Sequence, residues 1–265
     1  MSGTSRPVVG NPAWRLLEQD GRLVAAAGSD EVWVVDDAPG TVLAELAACW
    51  GPTPPTPDRL SPQARLAVEQ LRSVGALGPR VELSTAPRVA TVVVGAELPD
   101  WSGALARAID GSSWESDEPG DADVLVAVRT TATWECVREE ARGWVAAEQL
   151  HLLVDLAAAH TVAIGPFAVP GHSACAGCLA SRVMARWGDP EPPERPGATG
   201  PAALAVAAGL VATQLESALQ GDLTMVDRTA AVDLRTATAT SSPCLRSPRC
   251  SCSELVTDGR VELPW

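Results

Sequence analysis

The sequence predicts an α/β protein in two parts that divide near residue 84, and three observations carry the prediction. The runs Arg88–Val94, Asp123–Val128 and Leu152–Asp155 are almost continuously aliphatic. Strands with that composition are buried on both faces, as in parallel sheets, and here they alternate with stretches of helical spacing. Ahead of them, residues 14–36 read as three short strands separated by turn residues. Finally, two cysteine pairs, Cys175/Cys178 and Cys250/Cys252, link the middle of the second part to its end.

The elements follow in order. Trp14–Gln19 meets Asp20-Gly21, a strong hairpin signal. Arg22–Ala27 returns, Gly28–Asp30 turns, and Glu31–Asp36 makes a third strand. From Thr41 to Trp50, the apolar residues Val42, Leu43, Leu46, Ala47 and Trp50 fall at helical spacing, and Pro54, Pro55 and Pro57 stop the helix from continuing. Ser61-Pro62 opens a longer helix with an N-cap and a first-turn proline. Its expected core face is Leu66, Ala67, Leu71 and Val74, and Gly75 ends it. This order matches a small winged-helix-like module over residues 1–84.

Residues 85–265 form the second domain, with helices expected near 100–109, 134–148, 174–186 and 200–219. An acidic surface loop spans 111–123, a mobile Pro/Gly-rich connector spans 190–200, and late strands fall within Met225–Leu234. After the first strand, a nucleotide-binding fold would place G-x-G-x-x-G. This chain has Gly95-Ala96-Glu97-Leu98-Pro99-Asp100, with one glycine, so the strand is present without a phosphate loop.

Composition narrows the function. The net charge is −13, and all 20 basic residues are arginine. Without lysine, Schiff-base chemistry and a Lys-bearing phosphate loop are excluded. The acidic balance argues against nucleic acid as a partner. No apolar run reaches membrane-spanning length, and Met1–Ser5 is not a basic signal region, so a cytoplasmic protein without a membrane span is expected.

The cysteines carry the clearest chemistry. Four thiolates suit a tetrahedral zinc ion at ~2.3 Å, and such a closed site staples segments and does not catalyse. Cys175, Cys178 and Cys250 are expected ligands. The fourth is Cys252, with Cys244 as the alternative because C-x-C is a tight spacing. Disulfides are disfavoured without an export signal. Cys49 and Cys136 are expected to be buried and unligated. His172 reads as a turn residue or a donor to the ligands. His151 and His160 flank a strand with no nucleophile or carboxylate constellation beside them.

The segment Ile164-Gly165-Pro166-Phe167-Ala168-Val169-Pro170-Gly171-His172-Ser173-Ala174-Cys175-Ala176-Gly177-Cys178-Leu179 resembles the GP-x-x-V-PG-x-x-x-C-x-x-C-L stretch of ThiF-like proteins of azole- and thiopeptide-type ribosomal peptide (RiPP) biosynthesis. Pro248-Arg249-Cys250-Ser251-Cys252 resembles their C-terminal PRC-x-x-C, one residue shorter here. The resemblance implies a winged-helix-like peptide-recognition module, followed by a degenerate ThiF-like (Rossmann-type) domain with structural Zn2+. It implies a non-catalytic protein that binds the leader of a precursor peptide and presents the core to a YcaO-type cyclodehydratase. It also implies that the leader adds as a strand against the module's third strand and lies over its long helix. Here those positions are Val32, Trp33, Val34 and Val35, with Arg65, Val68 and Arg72 from the helix. A homodimer is possible, as such proteins commonly pair. The alternatives are an ATP-dependent adenylating enzyme, which the missing glycine loop and lysines oppose, and a winged-helix DNA-binding regulator, which the acidic charge opposes.

Overall fold

The computed structural model describes residues 7–252 apart from 13, 28–30, 80–86, 117–120, 193, 195–196 and 223. The turn expected at Gly28–Asp30 and part of the acidic loop lie outside the described residues. The chain divides into two units. One holds the described residues of Met1–Val81 and Ser217–Thr224, the other those of Glu82–Glu216 and Met225–Val256.

In the first unit, Val8–Gly10 (β1) precedes a three-stranded antiparallel sheet of Trp14–Gln19 (β2), Arg22–Ala27 (β3) and Glu31–Pro39 (β4), in that order. Asp20 and Gly21 both take positive φ, 52° and 76°, the backbone that a two-residue hairpin turn of the Asp-Gly kind requires. Leu43–Ala47 (α1) lies between 3-10 turns at Gly40–Val42 and Ala48–Trp50. Pro62–Ser73 (α2) starts as its sequence predicts: Ser61 Oγ accepts the Ala64 N–H at 3.2 Å, and Pro62 takes the first turn. Leu77–Pro79 (β5) then pairs antiparallel with β1. Neither of these three-residue strands is long enough to show a period in sequence.

Helix α2 is rotated from its expected setting. Ala64, Ala67, Val68 and Leu71 are buried in the unit's core with Leu23, Val35 and Leu46, whereas Leu66 is 63% exposed. Leu66 and Leu71 are five residues apart, about 140° around a helix, and cannot share one narrow face. The positions 64, 67, 68 and 71 do share one, and the two small alanines let the helix lie close to the sheet.

The second unit is built on a seven-stranded sheet. Its strands and helices are Arg88–Val94 (β6), Pro99–Ile109 (α3), Glu115–Ser116 (β7), Val124–Arg129 (β8), Trp134–Ala146 (α4) and Leu150–Asp155 (β9), followed by Thr161–Ala168 (β10), Ala176–Trp187 (α5), Pro201–Leu219 (α6), Arg228–Asp233 (β11) and Thr238–Pro243 (β12). The strand order is β12-β11-β10-β9-β8-β6-β7. Strands β7, β6, β8 and β9 are parallel, and β9 to β12 are antiparallel. The parallel half, fully buried along β8, matches the sequence expectation. The antiparallel half was only partly foreseen, because β12 (Thr-Ala-Thr-Ser-Ser-Pro) is exposed along its length and has no apolar period.

Gly165 and Pro166 mark the irregularity in β10. The register shifts between Ile164 and Phe167, the Gly165–Pro166 peptide is cis, and Gly165 has φ 97°. A Cβ at Gly165 would overlap the Arg228 carbonyl of β11, so only glycine lets the two strands close here. Helix α6 is long and apolar enough to cross a membrane by length and composition, with mean hydropathy 1.5 over its window. Its residues Ala203, Leu204, Ala207, Ala208, Val211 and Leu215 are nevertheless buried within the protein at helical spacing, as in a core helix.

Candidate functional site

Cys175 is the N-cap of α5, and Cys178 lies in its first turn, with its N–H donated to the Cys175 carbonyl. Cys250 and Cys252 come from the turn after β12. The structure brings all four together: their sulfurs lie within 4.8 Å of one another, and all four residues are buried. The Sγ–Sγ distances are 3.9 Å for Cys175–Cys178, 3.4 Å for Cys175–Cys250 and 3.1 Å for Cys178–Cys252. A tetrahedron with metal–sulfur bonds of ~2.3 Å has edges of ~3.8 Å. The donor set therefore fits a structural zinc ion, and these separations are far longer than a disulfide bond.

The fourth member of the group is Cys252. Cys244 is buried in the same cluster but lies outside the four, and burial pushes its thiol up to about 12. Cys178 is the most acidic of the group. Hydrogen bonds from the Cys175 and Cys250 thiols hold it well below the ordinary thiol range, and the Ser247 N–H donates to its sulfur at 3.3 Å. Cys49 is buried as expected. Cys136 is exposed, a correction: the core face of α4 is Val137, Ala141 and Val145, and Cys136 lies about 100° from Val137 on the helix.

The neighbours of the cysteines explain the motif around them. Val169 N–H donates to Ser173 Oγ at 2.8 Å, the Ser173 and His172 N–H groups both donate to the Val169 carbonyl, and Gly171 takes φ 76°. This tight turn delivers the chain to Cys175. His172 thus contributes a turn N–H. His151 is completely buried, and its Nδ1 lies 2.9 Å from the Gln149 carbonyl, which assigns the ring proton to Nδ1. Its Nε2 then accepts the Ala176 N–H at 3.4 Å, and burial lowers its pKa to about 4, keeping the ring neutral. His151 supports the first turn of α5, a role that nothing in its local sequence signals. His160 is partly exposed, 3.8 Å from Asp233.

In the first unit, β4 is an edge strand of the three-stranded sheet. Val32, Trp33 and Val34 are 65%, 45% and 43% exposed, an unusual run of large apolar side chains open to water. Helix α2 lies along this strand, because Gln70 Nε2 donates to the Asp36 carbonyl and Gln70 Oε1 accepts the Asp36 N–H, both at 2.8 Å. Leu66 lies one turn from Gln70 on the same side, and Arg65 and Arg72 are exposed. Two expected groove residues are corrected. Val35 and Val68 are each 2% exposed and belong to the core, since Val35 alternates with Val34 and Val68 falls on the rotated α2 core face.

The carboxyl ends of the parallel strands are where such a sheet would receive a nucleotide. Here the groups are engaged internally. Gly95 has φ 114°, and a Cβ on it would lie 2.7 Å from Ala132 N, Thr130 Oγ1 and Thr131 N, so the loop after β8 sits directly on the loop after β6. Thr130 Oγ1 donates to the Ala96 carbonyl at 2.8 Å, and Ala96 N–H donates to Thr131 Oγ1 at 2.9 Å. Arg129 gives both Asp155 oxygens a hydrogen bond, at 2.9 and 3.0 Å, donates to the Ala132 carbonyl and stacks 4.1 Å over Trp134. Asp189 accepts the Trp134 and Glu135 N–H groups, filling the anion site at the N-terminus of α4.

No protein-family model matches the sequence, and no curated protein matches it. Solved structures do match. A heterocyclase in complex with substrate and cofactor superposes with a TM-score of 0.53 at 15% identity, covering 93% of this chain and 39% of that one. The heterocyclase TruD gives 0.52 at 16% identity, covering 93% and 42%. The chain thus spans about two fifths of the length of these heterocyclases. The likeness read from the Gly165–Leu179 segment is met at the level of fold: over nearly its whole length, this chain has the fold of part of a heterocyclase.

Proposed function

We propose that the chain is a non-catalytic, zinc-stapled leader-peptide-binding protein of azole-type RiPP biosynthesis, which presents a precursor peptide to a separate YcaO-type cyclodehydratase in the cytoplasm. The observation that carries this reading is the open edge of β4. An extended peptide added there gains main-chain hydrogen bonds, and its alternate side chains meet Val32, Val34 and the exposed side of α2. Arg65 and Arg72 offer paired contacts to acidic leader side chains. Arg72 lies 3.7 Å from Glu69 on the helix surface, a pairing weak enough for a ligand carboxylate to replace. The zinc ion, when bound, supplies cross-linking and no chemistry, because all four positions are thiolates.

The carboxyl end of the sheet supports a binding role over ATP-dependent activation. The loops at the sheet's carboxyl end bond one another at Gly95–Ala96 and Thr130–Thr131, and the guanidinium of Arg129 is already committed to Asp155. The decisive experiment is fluorescence polarisation with a labelled leader peptide of an azole-type precursor, run with and without ATP. Saturable binding that ATP does not alter is expected. Pyrophosphate exchange by the isolated chain would instead make it an adenylating enzyme.

A further inference from the structure

We propose that the outer face of α5, together with the loop from Cys244 to Cys252, is a docking surface for an acidic segment of a partner protein. This surface belongs to the second unit, whereas the peptide groove belongs to the first. Arg182 Nε donates to the Leu245 carbonyl at 2.6 Å and its NH2 donates to the Arg246 carbonyl at 3.0 Å, which fuses the helix and the loop into one face. Arg186 lies one turn further along the same side of α5, and Arg249 is exposed on the loop. In a chain of net charge −13, the segments Gly171–Gly188 and Cys244–Cys252 hold four arginines and no aspartate or glutamate. Among the described residues, none of these four arginines is in an ion pair, in contrast to Arg72, Arg129, Arg138 and Arg235.

The same two segments also carry exposed apolar side chains. Trp187 is 66% exposed and Leu245 is 59% exposed. The Arg186 guanidinium sits 4.9 Å from the Trp187 ring, which orders the tryptophan without covering it. Exposed tryptophan and arginine side by side is the composition of energetically dominant interface centres. A free inorganic anion would satisfy the arginines and leave Trp187 and Leu245 wet. A long nucleic acid would meet the repulsion of the remaining acidic surface. A short acidic segment with an apolar residue satisfies both kinds of group, and the cysteine cluster joins the loop to the first turn of α5.

The test uses the full-length, zinc-loaded chain and a fluorescein-labelled peptide of alternating glutamate and leucine, with a glutamine–leucine peptide and a single-stranded oligonucleotide as controls, read by anisotropy. The glutamate peptide is expected to bind, and to weaken as salt rises from about 0.01 M to about 0.15 M, which shortens the screening length from ~30 Å to ~8 Å. Arg186→Glu with Arg249→Glu should weaken it about tenfold or more, as should Trp187→Ala, with zinc content and circular dichroism unchanged. Equal binding of the glutamine peptide, tighter binding of the oligonucleotide, or no effect of the variants would overturn the proposal. So would self-association of the chain that the same variants abolish, since the face would then belong to a second copy.

Discussion

Gln70 closes both backbone groups of Asp36: its amide donates to the Asp36 carbonyl and accepts the Asp36 N–H, each at 2.8 Å. A side chain of α2 therefore ends the open edge of β4 at Asp36, and an added strand must lie before it, along Val32–Val34. Gln70→Ala should lower stability by about 1 kcal/mol, measured by urea denaturation, because the freed groups are near solvent. Leader affinity should change far less than with Val34→Pro. Equal losses from both changes would mean that the peptide lies elsewhere.

Exposed and buried neighbours in the groove should separate cleanly. Leu66→Glu is expected to leave the melting temperature within about a degree or two, since surface changes stay within ±0.5 kcal/mol, while it weakens peptide binding. Val35→Ala should do the reverse, costing on the order of 1–3 kcal/mol with binding by the folded protein retained. Thermal melts and polarisation on the same samples decide it.

Metal and fold should be lost together at the cysteines. Cys250→Ser is expected to release stoichiometric zinc, measured by atomic absorption, and to broaden or abolish cooperative unfolding, because metal binding and folding are coupled. Cys244→Ser should retain the metal. Loss of zinc from that variant instead would show that the fourth ligand is Cys244.

Gly177 fills the space beneath the site. A Cβ there would lie 3.2 Å from Cys250 Sγ and 3.4 Å from the Ala141 Cβ, so a methyl group must push either a ligand or α4. Gly177→Ala should cost roughly 1–3 kcal/mol and quicken zinc transfer to a chelator. An unchanged transfer rate would show that α5 shifts freely and that the glycine is not needed for the site.

Arg129 and Asp155 form a pair with side chains 7% and 15% exposed. Asp155→Asn should be strongly destabilising, by about 3 kcal/mol, because a guanidinium is left buried without its counter-charge. Adding Arg129→Met should recover part of that loss in a double-mutant cycle. Recovery by ATP instead would reveal a nucleotide site that the wild-type pairing conceals.

Much of this protein was written locally. The Asp20-Gly21 turn, the Ser61-Pro62 helix start, the buried run of β8 and the cysteine spacing each follow from backbone preference or periodicity within a few residues, so the α/β class and the four clustered cysteines could be named from sequence, with Cys244 still competing for the fourth place. Contacts between distant segments decided the rest. The choice of Cys252 over Cys244 depends on how the chain returns from β12. The burial of Val35 and Val68 depends on the angle at which α2 meets β4. The polar strand β12 exists because β11 offers it hydrogen bonds, not because its own side chains ask to be buried. Spacing along the chain determined which groups could act. Only the tertiary structure decided which were exposed to act and which were spent holding the fold, because burial is a property of partners far away in the sequence.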